Sequence, residues 1–536
     1  MAYAEKRGNL WRARWRGPDG TLESRRGFHT RKAAENYGRD QEAAIRANTY
    51  VDPRAGKITL TEWVNQWYPA LDLEPTTLSN YRYQIEVHIL PAFGNRALAS
   101  ITAEEVSAWE GHIAASGYSR RTARDARSTL TTVLGDAIPR YIQANPAQRR
   151  RGKGRKGQRR IQRIEQAGKA WATPIQALLV AERCAALSGY DTDFVMIITV
   201  AYTGMRWSEV IGLGPECLQD DHVDVSWKLY ELNGRFYRGR PKDGSIRPAD
   251  LPPFLIGMLA NQVNMHARKC TCRNTEKPWC PGGRYVFLGP EQGHFRRSNY
   301  SERFFRPAAD GSYPARGQRP AMPVLVDTEA PYPGRPVPPW PMAVPGQEFQ
   351  PPVGRGVTRL VSDTTTGRCA VCGRAWPRRL DGHVILHMAG GVRCDGSGQP
   401  PAGDMTLASW LPVLPGLPPH GLRHGHQTWM DEDRITDVLK SERMGHEVPG
   451  MRGVYSHVSE AMRAELTAAL QEHWETSLRD RARLAPRSIV PVLDTLLAEQ
   501  GGSPNKIRSC QDPLPNCSQN RTRIGTVEAK EPEIGL

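Results

Sequence analysis

The first part of the chain alternates between apolar and basic positions. In GNLWRARWRG (8–17), tryptophan and alanine fall on one face of an extended segment and arginine on the other, which is the period of a β-strand. Pro18-Asp19-Gly20 supplies a turn, so we predict a β-hairpin over residues 8–28, followed by a helix capped by Thr30. A two-stranded ribbon fits the major groove of DNA, although a solvated basic sheet face is the alternative. The candidate DNA-contacting side chains are Arg12, Arg14 and Arg16.

A helical pattern follows in residues 58–147. Thr59 with Glu62 and Thr102 with Glu105 have the spacing of capping boxes, so we predict an all-helical unit. In the helix after Ser119, one face is apolar and another carries arginines. A basic stripe over a buried face is suited to phosphates, although an ordinary solvated face has the same composition. The stripe consists of Arg120, Arg124 and Arg127.

The second half of the chain mixes helical and strand patterns. Thr173-Pro174 is a helix start, and the apolar run FVMIITVAY (194–202) precedes Gly204, which can end a helix in a left-handed turn. The pattern of residues 222–252 predicts strands with a turn at Asn233-Gly234. Ser459 can cap a further helix. We therefore predict a multidomain α+β fold with helical and small-sheet parts.

Composition narrows the class of protein. A chain of 536 residues fits two to four domains, and a net charge of +16 indicates a polyanionic partner, although solvated basic faces are common. Residues 149–163 hold nine basic residues and no acid, as expected for an extended linker or for a localisation or nucleic-acid-binding tail. No apolar run approaches the roughly 18 residues of a membrane span, and the first 15 residues lack an apolar signal core.

The candidate chemistry is concentrated in residues 417–458. His420, Arg423, His446 and Tyr455 are separated by 3, 23 and 9 positions. Arginine offers a planar fork of donors for two phosphate oxygens, and histidine donates hydrogen bonds or moves protons near neutral pH. Tyrosine can serve as an oxygen nucleophile that holds phosphorus covalently. Each residue alone is ordinary, but the set indicates attack on a phosphodiester.

These residues lie in motifs that resemble a known family. HGLRH (420–424), MGH (444–446) and GVYSHV (453–458) resemble the H-x-x-R, L-G-H and Y-s-H boxes of the tyrosine recombinases, the phage integrase family, and TGMRWSE (203–209) resembles the family's first arginine box. PKDGSIRPADLP (241–252) resembles the hairpin region that carries its catalytic lysine. The catalytic residues that this resemblance implies are Arg206, Lys242, His420, Arg423, His446 and the nucleophile Tyr455, with Glu209 bracing the site.

The resemblance also implies an activity. It is that of a site-specific recombinase, which cleaves and rejoins DNA through a 3′-phosphotyrosine and so integrates and excises a phage or other mobile element. The resemblance further implies that catalysis needs no cofactor. The implied partners are double-stranded attachment sites, a homotetramer on synapsed DNA, and host DNA-bending or directionality factors, with no membrane. The alternatives are a type IB topoisomerase-like enzyme, a chromosome-resolving recombinase and a catalytically idle DNA-binding regulator.

The same resemblance implies a division of the chain into segments. The expected segments are an arm-type DNA-binding domain (1–50), a SAM-like core-binding domain (58–147), a basic linker (148–172), a catalytic domain (173–480) with an insert at about 265–405, and a partly disordered tail (481–536).

Thiols and imidazoles gather within the insert. C-A-V-C (369–372), followed by a histidine and a cysteine, has the character of a structural zinc site. The earlier group, H-x3-C-x-C-x7-C (266–280), has a less regular ligand spacing. We expect a reducing compartment, the bacterial cytoplasm, in which paired cysteines favour metal over disulfides. Buried free thiols, or an insert that folds without metal, are the alternatives. The candidate ligands are His266, Cys270, Cys272 and Cys280, and Cys369, Cys372, His387 and Cys394.

Overall fold

The chain divides into two compact units, Met1–Gln166 and Ala167–Leu536. Tyr455, most of the basic linker and the chain beyond 501 lie outside the described residues, as does most of the proline-dense stretch 331–352. The structure, a computed structural model, describes residues 2–47, 55–149, 170–275, 278–315, 321–327, 335–336, 366–377, 383–389, 391–402, 407–446 and 457–501.

The first unit begins with an antiparallel sheet in the order β1-β2-β3 and one helix, α1 (Arg31–Arg46). The predicted hairpin is confirmed, and its turn closes where the N–H of Gly17 donates to the carbonyl of Thr21 at 2.8 Å. The Thr30 hydroxyl caps α1 by accepting from the N–H of Ala33. The apolar face of β2 packs against α1. The strands are β1 (Tyr3–Arg7), β2 (Leu10–Arg16) and β3 (Leu22–Phe28).

The strand β1 was not predicted, and it changes the arginine face of β2. Glu5 on β1 stands opposite Arg12, and its carboxylate accepts from Arg14 Nε at 2.8 Å. Arg26 on β3 stands on the other side. Arg16 is exposed, but Arg12 is only 7% exposed. Side chains from both neighbouring strands therefore shield Arg12, and its contact with DNA stays a prediction.

The rest of the first unit is helical, as predicted. Both capping boxes form: the threonine hydroxyl accepts from the glutamate N–H, and the glutamate carboxylate accepts from the threonine N–H. One π-helical turn, Ile85–Ile89, makes α3 and α4 continuous. The helices are α2 (Leu60–Trp67), α3 (Pro75–Gln84), α4 (Leu90–Phe93), α5 (Ala103–Ala115) and α6 (Arg120–Gly135).

Burial divides the arginine stripe of α6. Arg120 and Arg124 are exposed, whereas Arg127 is only 8% exposed. Arg127 Nε donates to the carbonyl of Ala147 at 2.9 Å, and its Nη1 donates to Glu110 at 3.0 Å. Arg127 follows Ala123 by one turn on the buried face and ties α6 to its neighbours, so a structural role accounts for it, and its contact with DNA stays a prediction.

The second unit is mainly helical around one core. The predicted helix ends are confirmed: Thr173 caps α7, and Gly204 ends α8 with a φ of +65°. A π-helical turn, Ser301–Phe305, joins α11 to α12. None of the helices in the described parts of the chain has both the length and the apolarity needed to cross a membrane. The helices are α7 (Pro174–Ser188), α8 (Asp191–Thr203), α9 (Trp207–Val210), α10 (Pro253–His266), α11 (Arg297–Tyr300), α12 (Arg306–Asp310), α13 (His420–Glu432), α14 (Asp437–Met444), α15 (Glu460–Leu484) and α16 (Pro491–Gly501).

Short antiparallel pairs accompany these helices. β5 and β6 form a hairpin across the predicted Asn233-Gly234 turn, where both residues have positive φ, and β4 pairs with β7. Helices and small sheets together confirm the predicted α+β fold class. The strands are β4 (His222–Val225), β5 (Lys228–Leu232), β6 (Arg235–Gly239), β7 (Arg247–Asp250), β8 (Arg268–Lys269), β9 (Arg284–Tyr285), β10 (Ser312–Tyr313), β11 (Met322–Pro323), β12 (Leu325–Asp327), β13 (Arg335–Pro336), β14 (Thr366–Arg368), β15 (Ala375–Pro377), β16 (Met388–Ala389), β17 (Val392–Arg393) and β18 (Leu407–Ser409).

A buried ion pair joins the two ends of the second unit. Arg481 on α15 donates from Nε and Nη2 to the two carboxylate oxygens of Glu182 on α7, both at 2.6 Å. The hydroxyl of Ser488 donates to the same carboxylate at 2.7 Å, and Arg481 Nη1 donates to the carbonyl of Ala485 at 2.7 Å. Because both charges have several hydrogen-bond partners, the pair is tolerated in the interior.

We predict that Arg481→Met lowers the free energy of unfolding by roughly 3–5 kcal/mol, since the change leaves the Glu182 carboxylate buried without its counter-charge. Urea denaturation followed by tryptophan fluorescence measures this loss. The matched control is Arg479→Met on the same helix, where the guanidinium is half exposed and 3.9 Å from Glu475; such a pair contributes about 0–1 kcal/mol. Equal losses in both variants would contradict the proposed weight of the buried pair.

Candidate active site

Three arginines converge on the C-terminal end of α14. The last carbonyls of a helix have no intrahelical partner and carry partial negative charge. Here three consecutive carbonyls accept from three guanidinium groups that come from separate parts of the chain. The donors and acceptors are Arg247 Nε to Arg443 O at 2.8 Å, Arg423 Nη2 to Met444 O, and Arg206 Nη2 to Gly445 O at 3.3 Å.

Glu209 holds two of these arginines in place. The left-handed turn at Gly204 ends α8 and sets Arg206 just before α9. The Glu209 carboxylate accepts from Arg206 Nη1 at 2.8 Å and from Arg247 Nη2 at 2.8 Å, and it also accepts from the backbone N–H of Arg206 at 2.8 Å. Burial alone would raise the pKa of Glu209, but the Arg247 charge and the hydrogen bonds from both arginines lower it. Glu209 therefore braces Arg206 and Arg247 with one buried carboxylate.

Arg423 lies one turn after His420 on α13 and is only 3% exposed. Its Nη1 donates to the carbonyl of Gly204, and its Nη2 lies 3.2 Å from His446 Nε2. Burial and then the charge of Arg206 lower the pKa of Arg423 to about 9. The cluster contains three guanidinium groups and one carboxylate, an excess of two positive charges, so it is suited to an anion.

The two predicted histidines belong to the same cluster. The ring of His420 is exposed, yet the protein around it, and then the charges of His424 and Arg423, lower its pKa to about 4. Partial burial and the charge of Arg423 also lower the pKa of His446. Both imidazoles are therefore neutral near pH 7 and able to accept a proton.

A cavity of about 690 Å³ lies beside these groups. Arg206, His420 and Arg423 line one side of it, and the β5–β6 hairpin lines another. Arg297, which was not predicted, also lines the cavity. Its charge contributes to the lowered pKa of His420. The cavity brings the cationic groups within reach of one bound group.

Lys242 is placed near this cluster by its backbone. It begins the short turn Lys242–Gly244 before β7, and its side chain is exposed. The Ser245 hydroxyl donates to the Lys242 carbonyl at 2.9 Å. The same hydroxyl would lie 2.9 Å from a Cβ added at Gly445. The turn that carries Lys242 therefore packs on the end of α14, where Arg206 and Arg423 meet.

Tyr455 lies outside the described residues, so the structure brings together Arg206, Glu209, His420, Arg423 and His446 without it. Arg247 is a further site residue that was not predicted. It carried a signal, because it stands within the motif used to find Lys242. Its role depends on contacts with Glu209 and the end of α14, which are distant in sequence.

The candidate metal ligands form two groups, each with ligand atoms within 4.8 Å of one another. His266 was wrongly assigned to the first group. It lies at the end of α10 with its pKa lowered mainly by burial, and His294 takes the expected position. The sequence carried little signal for His294, because it follows the last thiol of its group by 14 residues. The groups are Cys270, Cys272, Cys280 and His294, and Cys369, Cys372, His387 and Cys394.

Comparison with known protein sequences finds similarity to phage integrases. A sequence model of the phage integrase N-terminal SAM-like domain matches residues 59–110. An integrase of Mycobacterium phage FRAT1 is 25% identical over 214 residues, which are 38% of this chain and 58% of that protein. The match thus spans less than two thirds of the relative's length. These matches confirm the resemblance to the tyrosine recombinases, the phage integrase family.

Solved structures of two integrases are also similar to this chain. The Tn1549 transposon integrase in complex with a circular intermediate DNA is 14% identical over 77% of this chain and 99% of that chain, with a TM-score of 0.45. A lambda integrase tetramer bound to a Holliday junction is 14% identical over 85% of this chain and 99% of that chain, with a TM-score of 0.39.

We predict that acidification below about pH 6.5 destabilises the second unit through His426. This imidazole is fully buried, and its Nε2 accepts from Arg443 Nε at 2.8 Å, so it must be neutral. Burial, and then the charges of Arg443 and Arg423, lower its pKa well below the usual value. The unfolded chain binds a proton at about pH 6.5 that the folded chain refuses, so stability falls as the pH drops from there towards the folded pKa.

Thermal unfolding between pH 7.5 and pH 5 measures this effect. We expect His426→Gln to start from a lower melting temperature and to lose less of it on acidification than the natural chain does. The control is His457→Gln, because His457 is exposed in the same unit; it should follow the natural chain. An unchanged pH slope in His426→Gln would show that other groups cause the acid sensitivity.

Proposed function

We propose that this chain is a site-specific DNA recombinase that cleaves and rejoins strands through a tyrosine ester. The observation that carries the proposal is that Arg206, His420 and Arg423 line one cavity, while His446 Nε2 lies 3.2 Å from Arg423 Nη2. An excess of positive charge in a partly enclosed site favours a phosphodiester, and fixed donors stabilise the charge that develops on it. The sequence relationship to a phage integrase is consistent with this chemistry.

In the proposed reaction, the phenolic oxygen of Tyr455 bonds to the scissile phosphorus while the bond from phosphorus to the 5′ oxygen breaks. Arg206 and Arg423 hold the two non-bridging oxygens. His420 or His446 accepts the phenolic proton, and Lys242 gives a proton to the leaving oxygen. The products are a 3′-phosphotyrosine and a free 5′-hydroxyl. Attack by a 5′-hydroxyl of another strand reverses the step, so the energy of the broken bond is kept in the ester.

The roles of Glu209 and Arg247 in this proposal are positional. Glu209 accepts from Arg206 and Arg247 without lining the cavity. In-line displacement depends on the aim of the donors as much as on their charge. The brace keeps the guanidinium of Arg206 directed at the position that a phosphate oxygen would occupy.

The proposed biological role is integration and excision of a phage or other mobile element. It is supported by the similarity to an integrase of a mycobacteriophage. Under this proposal the partners are paired double-stranded attachment sites, and four copies of the chain act together on them.

We predict that Tyr455→Phe abolishes covalent trapping on a nicked suicide substrate while DNA binding is retained, since phenylalanine keeps the ring but lacks the attacking oxygen. Denaturing gel electrophoresis with labelled DNA detects the covalent adduct, and a mobility shift measures binding. The control is Tyr83→Phe, because Tyr83 is 46% exposed in the first unit. It should trap DNA as the natural chain does.

Three outcomes would count against parts of this assignment. Trapping that persists in Tyr455→Phe would exclude this nucleophile. Binding without trapping by the natural chain would favour an idle DNA-binding regulator. Relaxation of supercoiled DNA that carries no paired sites would favour a topoisomerase-like enzyme.

We predict that exposed and buried arginines of α6 differ in their effect on DNA binding. Arg124→Ala should weaken binding to all sequences similarly and reduce the slope of log affinity against log salt by about 1, as expected for one lost phosphate contact. Arg127→Ala should lower the melting temperature instead, because it removes the bonds to Ala147 and Glu110. Fluorescence anisotropy over a salt series and thermal unfolding separate the two effects. A reduced salt slope in Arg127→Ala with unchanged stability would contradict this division.

A further inference from the structure

Two groups of three thiols and one imidazole lie apart from the candidate active site, each within the inserted part of the second unit. We infer that this chain binds two structural zinc ions, one in each group. The first ion is held by Cys270, Cys272, Cys280 and His294, and the second by Cys369, Cys372, His387 and Cys394.

The distances between the ligand atoms match a tetrahedron around zinc. Zinc lies about 2.3 Å from sulfur and about 2.0–2.1 Å from nitrogen, which places two sulfurs roughly 3.8 Å apart and sulfur and nitrogen roughly 3.5 Å apart. In the first group, Cys270 Sγ and Cys280 Sγ are 3.7 Å apart, and Cys280 Sγ is 3.5 Å from His294 Nε2.

The second group has the same dimensions. Cys369 Sγ and Cys394 Sγ are 3.6 Å apart, and Cys372 Sγ is 3.4 Å from His387 Nε2. The two groups, built from different stretches of the chain, therefore each contain one sulfur–sulfur and one sulfur–nitrogen distance close to those of tetrahedral zinc. A disulfide would join only two of the three thiols in each group and would leave the third thiol and the imidazole without a role. One zinc ion would bind all four side chains.

Groups around the ligands also orient them for a metal. His387 Nδ1 lies 2.9 Å from the carbonyl of Ile385. A carbonyl only accepts, so the proton is on Nδ1, and the lone pair of Nε2 faces the thiols; this is the usual arrangement for metal-bound histidine. In the first group, the hydroxyl of Tyr285 lies 3.2 Å from Cys280 Sγ, where it can donate to a thiolate.

The first zinc site braces a wall of the candidate active-site cavity. The N–H of Cys280 donates to the carbonyl of Phe236 on β6 at 2.8 Å, and the N–H of Arg238 donates to the carbonyl of Pro278 at 3.0 Å. The Trp279 ring also packs on Tyr237. The segment before Cys280 is thereby bonded along the β5–β6 hairpin, which lines the cavity. Zinc at this site therefore holds the hairpin in place.

The second zinc site closes the end of the insert. The N–H of Gly373 donates to the carbonyl of Cys369, and the N–H of Cys369 donates to the carbonyl of Arg374, both at 2.9 Å. The N–H of Cys394 donates to the carbonyl of His387 at 3.1 Å. Among the described residues of 366–402, Val384 is the only buried hydrophobic side chain besides two of the cysteines, so a metal supplies the stability that a small core cannot.

Metal analysis of the purified full-length chain tests the inference. We expect inductively coupled plasma mass spectrometry to find two zinc ions per chain, one for each group. His294→Ala should reduce the ratio to one, and Cys369→Ser with Cys394→Ser should also reduce it to one. The control is His266→Ala, which should retain two. A natural chain with fewer than two zinc ions, or loss of zinc from His266→Ala and not from His294→Ala, would overturn the assignment.

A measurement on the natural chain keeps the test decisive if a variant fails to fold. X-ray absorption at the zinc edge should give a mean shell of three sulfurs at about 2.3 Å and one nitrogen at about 2.0–2.1 Å. A shell dominated by oxygen, or one with two or fewer sulfurs, would overturn the assignment. Neither measurement depends on recombination activity, so the zinc inference stands or falls separately from the proposed function.

Discussion

The candidate active site depends on the hydrogen bonds that three arginines donate to the carbonyls at the C-terminal end of α14. Three guanidinium groups in one buried site repel one another, so each needs hydrogen-bond acceptors and nearby negative charge to offset this repulsion and the loss of water. Consecutive helix carbonyls supply those partners, and one carboxylate, Glu209, balances part of the charge. The same contacts leave Arg206 and Arg423 along the cavity wall. The hydrogen bonds that stabilise the buried arginines therefore also place Arg206 and Arg423 where they can bind an anion.

Local chemistry explains what was predictable from sequence. The caps at Thr30, Thr59 and Thr173, the stop at Gly204 and the turn at Asn233-Gly234 formed where expected, because each depends on one side chain or on one glycine conformation. The site residues Arg206, Glu209, His420, Arg423 and His446 came from motifs whose spacing resembles a family. Local sequence patterns do not show that these residues lie close together in space; only the structure shows this.

Long-range packing explains what was missed. Arg12 alternates correctly for an exposed strand face, but an extra strand brought Glu5 beside it. Arg127 was grouped with exposed arginines, although its register also matches the buried face of α6. His266 is close in sequence to the first thiols, whereas His294 is close in space. In each case the deciding neighbour lies on another element, which periodicity within one element does not specify.

The bond between Glu182 and Arg481 has a consequence for biosynthesis. The two residues are 299 positions apart, and translation proceeds at about 5–20 residues per second, so the acid emerges from the ribosome roughly 15–60 s before its base. During that interval the second unit has a carboxylate without a counter-ion and an apolar core that lacks α15. The first unit is complete much earlier. The nascent chain thus passes through a state in which the first unit, about a third of the residues, has been synthesised completely while the second unit still lacks α15.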